Sequence, residues 1–148
     1  MIMRPLFALS VALLWASPAF AVVETSVEVW KSATCRCCGN WVKHLEANGL
    51  AVTVNATEPL ALQRLKAEAG VPAKLASCHT AKIEGYVIEG HVPATDIKRL
   101  IEERPEGLGL TVPGMPVGSP GMKQDAESEP YDVLLIKKDG TTEVFARH

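Results

Sequence analysis

Neither sign of charge prevails in this sequence: 15 Lys and Arg stand against 17 Asp and Glu, a formal net charge of -2. Acids and bases are interspersed without a basic stripe, which excludes the electrostatic footprint of a nucleic-acid or anionic-membrane partner. After residue 21 no apolar run is long enough to cross a bilayer. There is no internal repeat and no low-complexity linker, so a repeat array and a pair of tethered modules are excluded too. Methionine is scarce: after Met1 and Met3 there is none before Met115 and Met122. Of only 4 cysteines, three fall together as Cys35, Cys37 and Cys38, and Cys78 stands apart.

What is present begins with an export signal. Arg4 supplies an early positive charge, an apolar run extends from Leu6 to Trp15, and Ala19-Phe20-Ala21 forms a small-x-small cleavage site. Residues 1–21 therefore read as a signal peptide. The mature chain is expected to start near Val22, to reach the periplasm and to have no membrane insertion after cleavage. Residues 22–148 have the length of a single domain. Four cysteines in an oxidising compartment ordinarily imply two disulfides, but a cluster of three within four positions argues against that simple arrangement.

Hydrophobic periodicity gives the order of elements. Ser26 to Trp30 alternates as a half-buried strand and runs into the cysteines. Trp41, Val42 and Leu45 follow at helical spacing, with Gly49 as a C-terminal cap, so the cysteines occupy a strand-to-helix junction. Leu50 to Val54 reads as a second strand. Thr57 is expected to cap a second helix with Pro59 in its first turn. Two strands follow, Ser77 to Ile83 and Tyr86 to Val92, turned by Glu84-Gly85. A third helix starts near Pro93 and packs Ile97, Leu100 and Ile101 inward. Residues 106–130, rich in Gly and Pro, read as one long loop whose length hints at function. Tyr131 to Ile136 and Thr141 to Phe145 flank Lys138-Asp139-Gly140 as a hairpin. The order β-α-β-α-β-β-α with cysteines at the first helix predicts an α/β, thioredoxin-like fold: a mixed sheet with flanking helices, the long Gly/Pro/Met loop and a C-terminal β-hairpin.

The start of a helix exposes unpaired N–H groups and the positive end of its dipole, and both favour thiolate over thiol. Cys35 and Cys38 have the spacing that brings two sulfurs together across one turn. Cys37 points round the axis and can reach a second ion or a bridging position. A plain disulfide between Cys35 and Cys38, or a redox pair, remains the rival reading. Cys78 and His79 are neighbours, and on a regular strand they would face opposite ways; they can serve one site only at a bulge or a strand end. His91 follows Gly90 at the close of a strand, where a neutral imidazole can face a metal, although an edge histidine is the rival reading. His44 and His148 read as surface histidines, Trp30 and Trp41 as core or site wall. Met115 and Met122 lie in stiff, turn-rich sequence. Thioethers are soft donors that suit Cu(I) and neither form disulfides nor protonate, whereas gap-filling is the commoner role of methionine.

Thr34-Cys35-Arg36-Cys37-Cys38-Gly39 with Trp41, then Ser77-Cys78-His79-Thr80, Glu89-Gly90-His91-Val92-Pro93, and the Pro-Gly-Met-Pro and Gly-Ser-Pro-Gly-Met segments resemble the CopG family of bacterial periplasmic copper-resistance proteins, long catalogued as a domain of unknown function. The resemblance implies a thioredoxin-like fold and a role in copper tolerance. It also implies a site for several copper ions that passes between Cu(I) and Cu(II), hence a possible copper oxidoreductase, with other periplasmic copper-handling proteins as partners. By matching motifs, Cys35, Cys37, Cys38, Cys78, His79, His91, Met115 and Met122 take the ligand roles. Two competitors stand beside this reading: a thiol-disulfide oxidoreductase using Cys35 and Cys38, which leaves the Met loop unexplained, and a structural zinc site, which gains little from methionine.

Overall fold

The computed structural model describes residues 26–122 and 127–148, so the signal peptide expected over residues 1–21 lies outside the described residues. The chain runs β1 (Ser26–Lys31), α1 (Arg36–Ala47), β2 (Ala51–Ala56), α2 (Pro59–Glu68), β3 (His79–Ile83), β4 (Tyr86–Gly90), α3 (Ala94–Glu103), β5 (Gly109–Val112), β6 (Asp132–Ile136) and β7 (Thr142–Arg147), with a short 3-10 turn at Ala73–Leu75 before β3. The strands form one mixed sheet in the order β2-β1-β3-β4-β5-β6-β7. β1 pairs with β2, and β4 with β5, in parallel; the other pairs are antiparallel.

Helix α1 forms where the sequence places it. Cys38, Trp41, Val42 and Leu45 recur at helical spacing and are the residues buried. Gly49, at φ 77°, ends the helix, and the Leu50 N–H returns to the Leu45 carbonyl. α3 starts directly after Pro93 and buries Ala94, Asp96, Ile97 and Leu100. Both helices share a core cluster with one face of the sheet: Val27 and Val29 of β1, Ala81 and Ile83 of β3, Ile88 of β4, Leu110 and Val112 of β5, Val133 and Leu135 of β6. Each fully buried Leu or Ile there is worth about 1.5–3 kcal/mol relative to exposure. Leu62 and Lys66 of α2 are buried outside this cluster, and Lys66 bonds Thr80 of β3. α2 thus packs on the other face.

Three expectations need correction. Residues 106–130 are not one loop, because Gly109–Val112 forms β5 between β4 and β6. All four of its residues are buried, so it lacks the alternation that marks a half-exposed strand. Gly109, which reads as a loop signal, is required by close approach: a Cβ there would lie 1.7 Å from the Val87 carbonyl oxygen. Thr57 does not cap α2. Its hydroxyl donates to the Asn55 carbonyl, and Glu58 occupies the cap position without a side-chain bond. Nor are His44 and His148 idle surface groups. His44 Nε2 accepts the Ala94 N–H at the start of α3, 3.1 Å away, and His148 Nε2 lies 2.8 Å from Asp96 Oδ2.

Candidate metal centre

α1 begins at Cys35, whose extended backbone and side chain cap the helix; its Sγ accepts the Cys38 N–H at 3.4 Å. Cys35 and Cys38 are joined as a disulfide, the rival arrangement weighed for this spacing. Cys37 remains free, with its Sγ 3.6 Å from that of Cys35. In the bridged state Cys35 and Cys38 offer no thiolate, and reduction returns both to the donor set.

The second arm comes from the β3–β4 hairpin. The ladder pairs Thr80 with Glu89, and the same antiparallel register carried outward sets Cys78 against His91 just beyond the last paired residues. Cys78 precedes β3, so the alternation that would separate it from His79 does not apply. Its Sγ lies 3.4 Å from His79 Nδ1 and 3.2 Å from His91 Nε2. Gly90, at φ 74°, makes the approach possible: a Cβ there would meet the Val112 carbonyl at 2.7 Å and Ser77 Oγ at 2.8 Å.

The hydrogen bonds decide the tautomer of His91. Its Nδ1 lies 2.6 Å from the Pro120 carbonyl oxygen, which can only accept, so Nδ1 carries the proton and a neutral His91 presents its Nε2 lone pair to Cys78. That backbone-anchored imidazole is how metal-binding histidines are oriented. Burial lowers the His91 pKa, opposed by the Pro120 contact. His79 is held well below the ordinary imidazole range by burial first, then by His91 and Lys66, with the Gly90 carbonyl opposing. Its Nε2 is buried without a hydrogen-bond partner among the described residues. Burial, and next the neighbouring Cys37, push the Cys78 thiol up to about 11. A bound soft cation reverses that preference, because it favours the thiolate.

Two overlapping donor groups result. Cys35, Cys37, Cys38 and Cys78 place their ligand atoms within 4.8 Å of one another, as do Cys78, His79 and His91. Cys78 belongs to both. Sulfur and neutral imidazole suit soft and borderline ions, and His79 Nδ1 and the unprotonated His91 Nε2, which both face the Cys78 sulfur, fit a cation. Trp41 walls the site: its ring lies 4.3 Å from that of His79, and its Nε1–H donates to the Val92 carbonyl at 2.8 Å.

Two solved structures of a copper resistance protein, CopG, described as Form 1 and Form 2, are similar to this chain. Form 1 is 43% identical with a TM-score of 0.77, over 83% of this chain and 96% of that one. Form 2 is 44% identical with a TM-score of 0.77, over 84% and 98%. The chain belongs to the CopG family. A family model described as a protein of unknown function, DUF411, matches residues 75–122. That span holds Cys78, His79, His91, Met115 and Met122 and leaves out the cysteines of α1. No curated protein matched.

Within this CopG-family chain, six of the eight residues singled out from the sequence come together: the four cysteines, His79 and His91. The Met loop divides. Met122 borders a surface pocket with Arg36, Cys37, Asn40 and Gly121, beside the free thiol. Gly121 packs so tightly on α1 that a Cβ there would lie 2.7 Å from both the Cys37 carbonyl and the Trp41 nitrogen. Met115 is 40% exposed and borders neither of the two pockets that Met122 lines. Sequence reasoning missed a polar network behind the hairpin: Glu89, fully buried, holds Lys66, Thr80 and the Ser77 N–H. The only sequence signal was an acidic residue in an otherwise apolar strand.

Proposed function

We propose that this protein binds copper in the periplasm as part of copper tolerance, holding more than one Cu(I) through Cys35, Cys37, Cys38, Cys78, His79 and His91. Met115 and Met122 serve as loop donors, of which Met122 has the closer setting. The observation that carries the proposal is the position of Cys78 in two donor groups at once, since a thiolate common to two groups can bridge two ions. Thiolates, imidazoles and thioethers together accommodate both Cu(I) and Cu(II). The names of the similar solved structures support copper as the cargo. A thioredoxin-like arrangement is supported by the parallel β1–β2 pair, the order β2-β1-β3-β4 and the Cys-x-x-Cys at the start of α1. Export is supported by the reading of residues 1–21 and is consistent with the absence, among the described residues, of a helix long and apolar enough to cross a membrane.

Anaerobic titration of the reduced mature protein against a competing Cu(I) chelator tests the proposal. More than one Cu(I) per chain is expected. A stoichiometry of one at most, with zinc held more tightly, would refute it. The second reading, a thiol-disulfide oxidoreductase, is favoured by the Cys35–Cys38 bridge. Its signature would be turnover of a disulfide substrate by protein whose Cys78 has been replaced, since that chemistry needs only the α1 pair.

A further inference from the structure

Glu89 is the least expected residue near the donor groups. It is wholly buried, two positions before His91, and among the described residues its one cationic partner is Lys66 of α2, itself 7% exposed. Lys66 Nζ lies 2.5 Å from Glu89 Oε1 and 2.7 Å from Thr80 Oγ1, and Thr80 donates to Glu89 Oε2 at 2.6 Å. A buried ion pair is weak grounds for stability, since desolvation offsets its attraction and apolar replacements are often neutral or better. The pair therefore invites another explanation.

The fourth bond supplies it. Glu89 Oε1 also accepts the backbone N–H of Ser77, 2.5 Å away. Ser77 lies between the 3-10 turn and β3, outside the ladders that β3 makes, and it is the residue before Cys78. The carboxylate thus grips the chain one residue ahead of the sulfur that both donor groups share. From the same strand, the chain leads through Gly90 to His91, whose Nε2 faces that sulfur. One side chain therefore holds both the approach to Cys78 and, through β4, the approach to His91.

We propose that Glu89, held in place by Lys66 and Thr80, is a positioning residue: its hydrogen bond to the Ser77 N–H fixes Cys78 against His91. This rests on the copper reading only for what the centre binds; the positioning itself concerns the metal-free protein. The effective group is the acceptor oxygen, and Lys66 keeps its charge tolerable in the interior.

Two double variants separate positioning from packing. Glu89→Gln with Lys66→Met removes both charges but keeps an oxygen for Ser77. Glu89→Met with Lys66→Met removes the oxygen as well, with similar volume and no unpaired buried charge. The readouts are imidazole nitrogen NMR shifts of His79 and His91 in the reduced, metal-free protein, and Cu(I) affinity by chelator competition. The Gln-containing double should keep the wild-type imidazole shifts and affinity. The Met-containing double should fold but show altered His91 shifts and about tenfold weaker Cu(I) binding, the lower end of what losing an outer-shell partner costs. If both doubles match the wild type in shifts and affinity, Glu89 does not position the site. If the shifts respond as expected while even the wild type holds no copper, positioning stands and the copper reading falls. Should the Met-containing double fail to fold, Glu89→Asp with Lys66 intact keeps the charge but draws the acceptor back from Ser77; unchanged imidazole shifts there would overturn the proposal.

Discussion

The two donor groups that meet at Cys78 are assembled differently. Cys35, Cys37 and Cys38 lie within one helical turn, so the start of α1 by itself sets them side by side. Cys78, His79 and His91 come from two strands, and only the β3–β4 register sets Cys78 against His91. The first group is local and partly closed by a disulfide; the second is tertiary, buried, and has an imidazole nitrogen without a hydrogen-bond partner among the described residues. A local cluster can form thiolates or a disulfide as redox conditions dictate, whereas the buried group offers neutral imidazoles in one fixed arrangement.

The sharpest way to break this comparison is to remove the shared donor. Cys78→Ser should weaken Cu(I) binding by more than about a hundredfold, beyond the range for outer-shell partners, because both groups lose a ligand. Cys38→Ser should come next. Its side chain is fully buried on the face of α1 that carries Trp41 and Leu45, which makes it the least replaceable of the α1 trio. Chelator competition ranks the two, and a smaller loss for Cys78→Ser than for Cys38→Ser would mean the groups do not share their sulfur.

Gly121→Ala probes how the loop seals α1. The added Cβ would collide with backbone of Cys37 and Trp41, and φ is already 90° there, so we expect destabilisation of about 1–3 kcal/mol by urea unfolding. Unchanged stability would show that the loop does not dock on α1.

Protons should distinguish the two groups as well. Burial lowers the pKa of His44, His79 and His91 from the ordinary value of 6.5. Between each lowered value and 6.5 the unfolded chain binds protons that the folded chain does not, so stability rises with pH in that window. In the metal-free protein this contribution is complete above about pH 6.5 and is lost as pH falls through the lowered values. Urea midpoints at about pH 7.5 and about pH 5 should differ in that direction, and less so for His44→Gln, which lacks the group accepting the Ala94 N–H. A flat profile would contradict the burial of these imidazoles.

The smallest effects belong to the methionines. Met122→Leu should weaken Cu(I) binding more than Met115→Leu, since Met122 lies by Cys37 and Met115 is exposed. Neither should cost more than about 1.5 kcal/mol in stability, because volume and apolarity are nearly kept. Equal losses of affinity would mean that both thioethers reach the ions.

Sequence by itself determined what local forces control. The helical recurrence of Trp41, Val42 and Leu45, the alternation of β1 and the Lys138-Asp139-Gly140 turn were legible because each depends on near neighbours, and so was the clustering of Cys35, Cys37 and Cys38. Tertiary structure decided the rest. β5 was invisible because a strand buried on both faces has no alternation, and its glycine reads as a loop until β4 is seen pressing on it. The tautomer of His91 depends on a carbonyl 29 residues away, and Glu89 is buried where Lys66 of α2, Thr80 of β3 and the Ser77 N–H all meet its carboxylate. Hydrogen bonds and ion pairs in a low-dielectric interior act between whatever groups the fold brings within about 3 Å, and sequence spacing does not record that distance.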